Sequence, residues 1–152
     1  MGTLISNSPE ETEALGKRWG REASPGLVIG LTGELGTGKT QLVKGIAHGL
    51  GIETRVHSPT FTLLNEYRDG RLRLFHLDLY RLETHEQIVS AGLEDYFHRP
   101  DGVAVIEWAE KWFNEIPDAE DRRRKLPGPY RQVCFEYLSD QQRRISYDDF
   151  GA

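Results

Sequence analysis

Eight residues, Gly33-Glu34-Leu35-Gly36-Thr37-Gly38-Lys39-Thr40, constrain this chain more than any other stretch. They fill the pattern G-x-x-x-x-G-K-[ST], the loop that cradles nucleotide phosphates. Each residue type has a physical task. Gly33, Gly36 and Gly38 let the backbone turn with its N–H groups facing inward, where a side chain would block a phosphate. Lys39 offers a point charge for the β- and γ-phosphates, and the Thr40 hydroxyl suits a magnesium ion. Context agrees with the pattern. Leu27 to Thr32 is a short apolar run, as in a strand covered on both faces, and Leu42, Val43, Ile46, Ala47 and Leu50 then keep helical spacing up to Gly51. The helix beginning near Lys39 adds the positive end of its dipole. The loop through Gly33, Leu35, Gly36, Thr37, Gly38, Lys39 and Thr40 is therefore a candidate nucleotide site.

Around this unit the chain reads as one α/β domain over residues 1–152. Ser8-Pro9-Glu10-Glu11 supplies an N-cap, a first-turn proline and a capping-box glutamate, and Leu15 and Trp19 mark the buried stripe of a helix that Pro25-Gly26 ends. Phe61 to Tyr67 and Arg71 to Tyr80 read as two strands of a hairpin turning at Arg68-Asp69-Gly70. Glu83 to Phe97 is helical with a break near Gly92, and Val103 to Ile106 is a second short apolar strand. Val133, Phe135 and Tyr137, then Ile145 and Tyr147, alternate as a C-terminal strand pair. The expected fold is a P-loop NTPase-like sandwich with a mixed, partly parallel central sheet.

Charge and cysteine usage narrow the function classes. Nineteen basic against 24 acidic residues give a net charge of −5, which disfavours a protein that grips nucleic acid through an overall basic surface. A single cysteine, Cys134, excludes an internal disulfide or a cysteine metal cluster. No run approaches a membrane span, and Met1 to Glu11 lacks the features of a secretory signal, so a cytoplasmic setting is expected.

Three further segments carry candidate chemistry. Glu107 closes the second apolar strand, where a P-loop protein places its acidic magnesium-site residue; aspartate is usual there, and the alternative is a plain strand end. His76, Asp78 and Tyr80 lie at i, i+2 and i+4, on one strand face that is either solvated or part of the site. Ser58-Pro59-Thr60-Phe61-Thr62 is either an ordinary turn or a switch segment.

Taken with the phosphate loop, Ser58-Pro59-Thr60-Phe61-Thr62, His76-Leu77-Asp78-Leu79-Tyr80-Arg81 and Ile106-Glu107-Trp108 resemble, in order and spacing, the bacterial TsaE (YjeE) family from about Leu27 to Trp108. The resemblance implies a small ATPase that uses ATP and Mg²⁺. It implies a role in threonylcarbamoyl modification of the adenosine next to the anticodon in ANN-decoding tRNAs. TsaD and TsaB would be the partners, with tRNA reached through the complex and no membrane involved. It also implies that Thr40 and Glu107 form the magnesium-site pair and that Lys39, Asp78 and Glu107 serve hydrolysis. Trp108 would lie beside the nucleotide or a partner. Two departures stand out. Glu34-Leu35-Gly36-Thr37 replaces the family's common Asp-Leu-Gly-Ala, and Arg122-Arg123-Arg124-Lys125 matches no motif. That basic run is either a solvated loop or a contact for tRNA or an acidic partner. Two other classes stay open on the residues alone. One is a small P-loop kinase, for which only Arg122 to Lys125 resembles a lid; the other is a nucleotide-gated binding module with negligible hydrolysis.

Overall fold

The computed structural model describes residues 2–33, 38–113 and 128–151. Its elements run β1 (Gly2–Ser6), α1 (Pro9–Glu22), β2 (Val28–Thr32), α2 (Lys39–Gly49), β3 (Leu64–Tyr67), β4 (Leu74–Asp78) and α3 (His85–Ser90). A 3-10 turn (Glu94–Phe97), β5 (Val103–Glu107), α4 (Glu110–Phe113), β6 (Tyr130–Tyr137) and β7 (Arg143–Phe150) follow. One seven-stranded sheet has the order β1-β7-β6-β2-β5-β4-β3. Its centre is parallel, β2 pairing with both β5 and β6, and β5 with β4, while the β1–β7, β6–β7 and β3–β4 pairs are antiparallel. The mixed α/β fold is as expected.

The central strands are buried along their whole length because helices cover both faces. Alternation sorts their side chains. Ile29, Leu31, Leu74, Val103 and Val105 pack towards α1 and α2 with Leu15, Trp19, Leu42 and Ile46. Val28, Phe75, Leu77, Ala104 and Ile106 pack the other way, against Ile88 and Phe97. By the same period of two, His76, Asp78 and Glu107 point to the α2 side.

The two helices of that side touch backbone to backbone. Gly16 and Gly20 of α1 meet Gly45 and Gly49 of α2, and a Cβ on any of them would strike the facing helix's main chain. The Ser8 hydroxyl caps α1 by accepting from the Glu11 N–H at 3.1 Å, as the sequence predicts.

Three expectations are corrected. Gly2–Ser6 form β1, an edge strand on β7, where the sequence pattern predicts no element. Arg68-Asp69-Gly70 is no tight turn, since six residues separate the paired Tyr67 and Leu74. Instead the Asp69 carboxylate accepts the N–H groups of Glu53 and Thr54, both at 3.0 Å, and Arg71 donates to the carbonyls of Gly20 and Ala23. The loop thus docks on the far ends of α1 and α2. Finally, β4 stops at Asp78, so Tyr80 leaves the strand face that His76 and Asp78 share. The break at Gly92 is present, with φ 76°.

Candidate nucleotide and cation site

Parallel strands bring their carboxyl ends to one edge of the sheet, and the candidate site lies there. Leu31 pairs with Glu107 and Glu107 with Asp78, so β2, β5 and β4 finish level with one another. Directly after β2 comes Gly33, and α2 opens at Lys39 behind Gly38, whose φ of 91° suits a residue without a Cβ. Leu35, Gly36 and Thr37 lie outside the described residues, as does Arg122 to Lys125.

The cleft above this edge has a volume of about 390 Å³, and Gly38, Lys39, Thr40, Ser58, Thr60, Asp78, Tyr80, Glu107 and Trp108 line it. All three segments singled out beyond the loop therefore converge on it. The Thr40 hydroxyl donates to Glu107 Oε1 at 3.3 Å. The other carboxylate oxygen, Oε2, accepts from His76 Nε2 at 2.5 Å. Asp78 accepts the Thr60 hydroxyl at 3.0 Å on Oδ2 and the Tyr80 N–H at 2.9 Å on Oδ1. Ser58 and Thr60 share a hydroxyl–hydroxyl bond of 2.8 Å. The face bearing His76 and Asp78 is thus buried, not solvated: the two are 0% and 3% exposed.

Lys39 sits among acids. Its ammonium donates to the Gly33 carbonyl at 2.6 Å and lies 3.9 Å from the centre of the Trp108 ring. Burial lowers its pKa, while the carboxylates of Glu107, Glu110 and Asp78 pull it back up. Burial raises the Asp78 carboxyl above the ordinary aspartate range; the Tyr80 N–H and the Thr60 hydroxyl oppose the rise and the Glu107 charge adds to it. Glu110, in the first turn of α4, is likewise raised by burial. Trp108 has a left-handed backbone, φ 59°, and its ring packs on Tyr80 with centroids 5.0 Å apart.

The donor set can be tested against a divalent cation. Among the described residues no group of three or more His, Cys, Asp or Glu side chains could hold a metal by itself. Mg²⁺ does not need one: it binds through one or two hard oxygen donors and completes its shell with phosphate oxygens and water. The Thr40 hydroxyl and Glu107 Oε1, side by side at the cleft floor, are such donors and fit the ion.

Two groups escaped the sequence reading. The contact between His76 and Glu107 depends on β4 lying beside β5, which no local pattern reveals. Glu110 gave no signal, although its place three residues after Glu107 on a one-turn helix faces it towards Lys39.

Comparison with known proteins agrees with this architecture. A family model described as threonylcarbamoyl adenosine biosynthesis protein TsaE matches residues 6–144. The chain is 49% identical over 154 residues to the tRNA threonylcarbamoyladenosine biosynthesis protein TsaE of Nostoc sp. (strain PCC 7120), covering 99% of this chain and 88% of that one. It is 40% identical over 144 residues to the protein of that name from Bacillus subtilis (strain 168), with coverages of 95% and 83%. The crystal structure of Bacillus subtilis YdiB superposes with a TM-score of 0.71 at 36% identity, over 99% of this chain and 86% of that one. Among the described residues no helix is long and apolar enough to cross a membrane.

Proposed function

The chain belongs to the TsaE family of tRNA threonylcarbamoyladenosine biosynthesis proteins, and from that premise we propose that it is an ATP-binding and ATP-hydrolysing partner of the modification machinery, using Mg²⁺ and acting on a TsaB–TsaD pair. The observation that carries the reading is the meeting of Thr40 and Glu107, 3.3 Å apart beside Lys39, at the end of a phosphate-binding sequence.

In this reading Lys39 leaves the Gly33 carbonyl for the β- and γ-phosphates, a charge-assisted contact stronger than the one it gives up. Thr40 and Glu107 hold Mg²⁺, which when bound neutralises charge on the phosphate oxygens. Asp78 orients the attacking water: its carboxylate is fixed through both oxygens, and its raised pKa makes it a better proton acceptor than an ordinary aspartate. The Thr60 hydroxyl ties the Ser58–Thr60 segment to Asp78, so a change at the γ-phosphate reaches the cleft rim. Phe61, 81% exposed with Arg81 stacked 4.7 Å from its ring centre, lies next to that segment. A nucleotide-dependent rim of this kind is a surface a partner can read.

The test is a modification assay with TsaB, TsaD and excess tRNA. Asp78→Ala is expected to bind ATP yet fail to support repeated rounds. Full multi-turnover activity with Asp78→Ala, or with this protein left out, would overturn the reading.

A further inference from the structure

We propose that His76 is a positioning residue for the cation site: its Nε2–H holds one oxygen of Glu107 so that the other is presented to Thr40 and the metal. The inference rests on the nucleotide–cation reading above and adds a residue to it.

Three observations support it. His76 is fully buried in β4, one strand away from Glu107, and its Nε2 meets Glu107 Oε2 at 2.5 Å while Oε1 takes the Thr40 hydroxyl. The carboxylate is therefore gripped from both ends, and its plane is fixed by a rigid strand instead of a loop. The second ring nitrogen, Nδ1, has no hydrogen-bond partner among the described residues. A buried imidazole that leaves one polar atom unsatisfied costs stability, and an apolar side chain would fill this strand position without that cost. Among the described residues, the bond to Glu107 is the polar contact that the ring makes. Its neighbours along the strand, Phe75 and Leu77, pack into the opposite core, so they neither reach Glu107 nor replace the contact. Glutamate has one more rotatable bond than aspartate. At the position where P-loop proteins usually carry aspartate, the longer side chain needs an outside restraint to keep one oxygen on the cation.

The expected behaviour follows from the geometry of the substitute. Glutamine places its amide N–H near the position of Nε2, whereas asparagine places its own near Nδ1, too short to reach the carboxylate. Both are polar and smaller than histidine, so they differ mainly in the contact at issue. Calorimetric titration with the nonhydrolysable analogue AMP-PNP, in Mg²⁺ and in EDTA, gives the fold-gain in affinity that the cation confers, without any turnover. His76→Gln should keep that gain within about threefold of the wild type. His76→Asn should lose about 10–100-fold of it, the range for removing a group that orients a metal ligand. Affinity in EDTA should stay level in both, which a general loss of structure would not permit. Equal gains in the two variants, or an equal loss in EDTA, would overturn the positioning role. A wild-type protein whose AMP-PNP affinity ignores Mg²⁺ would instead overturn the cation reading, and the His76 assignment with it.

Discussion

Placing a methyl group on Gly45 tests how closely the helix carrying Lys39 and Thr40 must pack. A Cβ there would lie 2.9 Å from the Glu13 carbonyl carbon and 3.0 Å from its Cα, and nearer still to the oxygen. Carbon pairs prefer about 3.5–4.0 Å, so the helices must part by roughly 0.5–1 Å, which forfeits a quarter to a half of each dispersion contact across the crossing. Neither side can swing away, since the Cβ is fixed by its own backbone and the Glu13 atoms it meets are main chain. Glu13 is further tied to α2 through its carboxylate, which bonds Gln41 at 2.8 Å and His48 at 2.9 Å. Overpacking of this sort costs about 1–3 kcal/mol, and a backbone clash belongs near about 3. Alanine returns about 1 kcal/mol through its better helix propensity. The net loss for Gly45→Ala is then about 2 kcal/mol, or a fall in Tm of about 4–8 °C for a chain of this size. Urea unfolding should show a lower midpoint at an unchanged slope. An unchanged or raised midpoint, as alanine gives in an open helix, would refute the close crossing.

Further outcomes concern the cleft. Lys39→Ala should abolish detectable triphosphate binding in calorimetry with the fold intact by circular dichroism, because it removes the charge aimed at the phosphates. Thr40→Ala and Glu107→Gln should each weaken the Mg²⁺ dependence of hydrolysis more than metal-free nucleotide binding; a wild-type Mg²⁺ titration in Glu107→Gln would move the role to Asp78. Asp78→Asn should stabilise the fold at pH 7. The buried carboxyl's folded pKa lies above its unfolded value, so the native state binds more protons, and stability falls as pH rises from the ordinary aspartate range through the raised pKa. The gain from asparagine should therefore shrink as pH is lowered towards that range in paired urea titrations, and a gain independent of pH would contradict the argument.

The parts of the molecule legible in the sequence are those whose signals are local. Ser8 and Glu11 announce α1, Gly38-Lys39 announces the start of α2, and short apolar runs announce β2 and β5 as buried parallel strands. What stayed hidden depends on neighbours far along the chain. β1 is an edge strand whose exposed and half-buried residues alternate weakly, and it becomes a strand because β7 offers an open ladder. Asp69-Gly70 carries a hairpin signal, yet the carboxylate finds better partners in the Glu53 and Thr54 N–H groups, and a tertiary contact overrides the local preference. At the site, Glu107 is legible as a candidate from a strand end and Asp78 from the strand face it shares with His76. That they sit level, on the side of α2, follows from strand order, which no single segment encodes.

Trp108 has an optical consequence. Its indole faces the Lys39 ammonium, and a cation held against an excited indole shifts and quenches its emission. The other two tryptophans occupy settings of their own, Trp19 in the core beneath Arg131 and Trp112 stacked on His85. If phosphate draws Lys39 away, the light from Trp108 changes while theirs holds steady, and Trp108→Phe silences the change. On the proposed nucleotide reading, Trp108 is a built-in dye at the lip of the cleft that would time phosphate arrival and departure without a label.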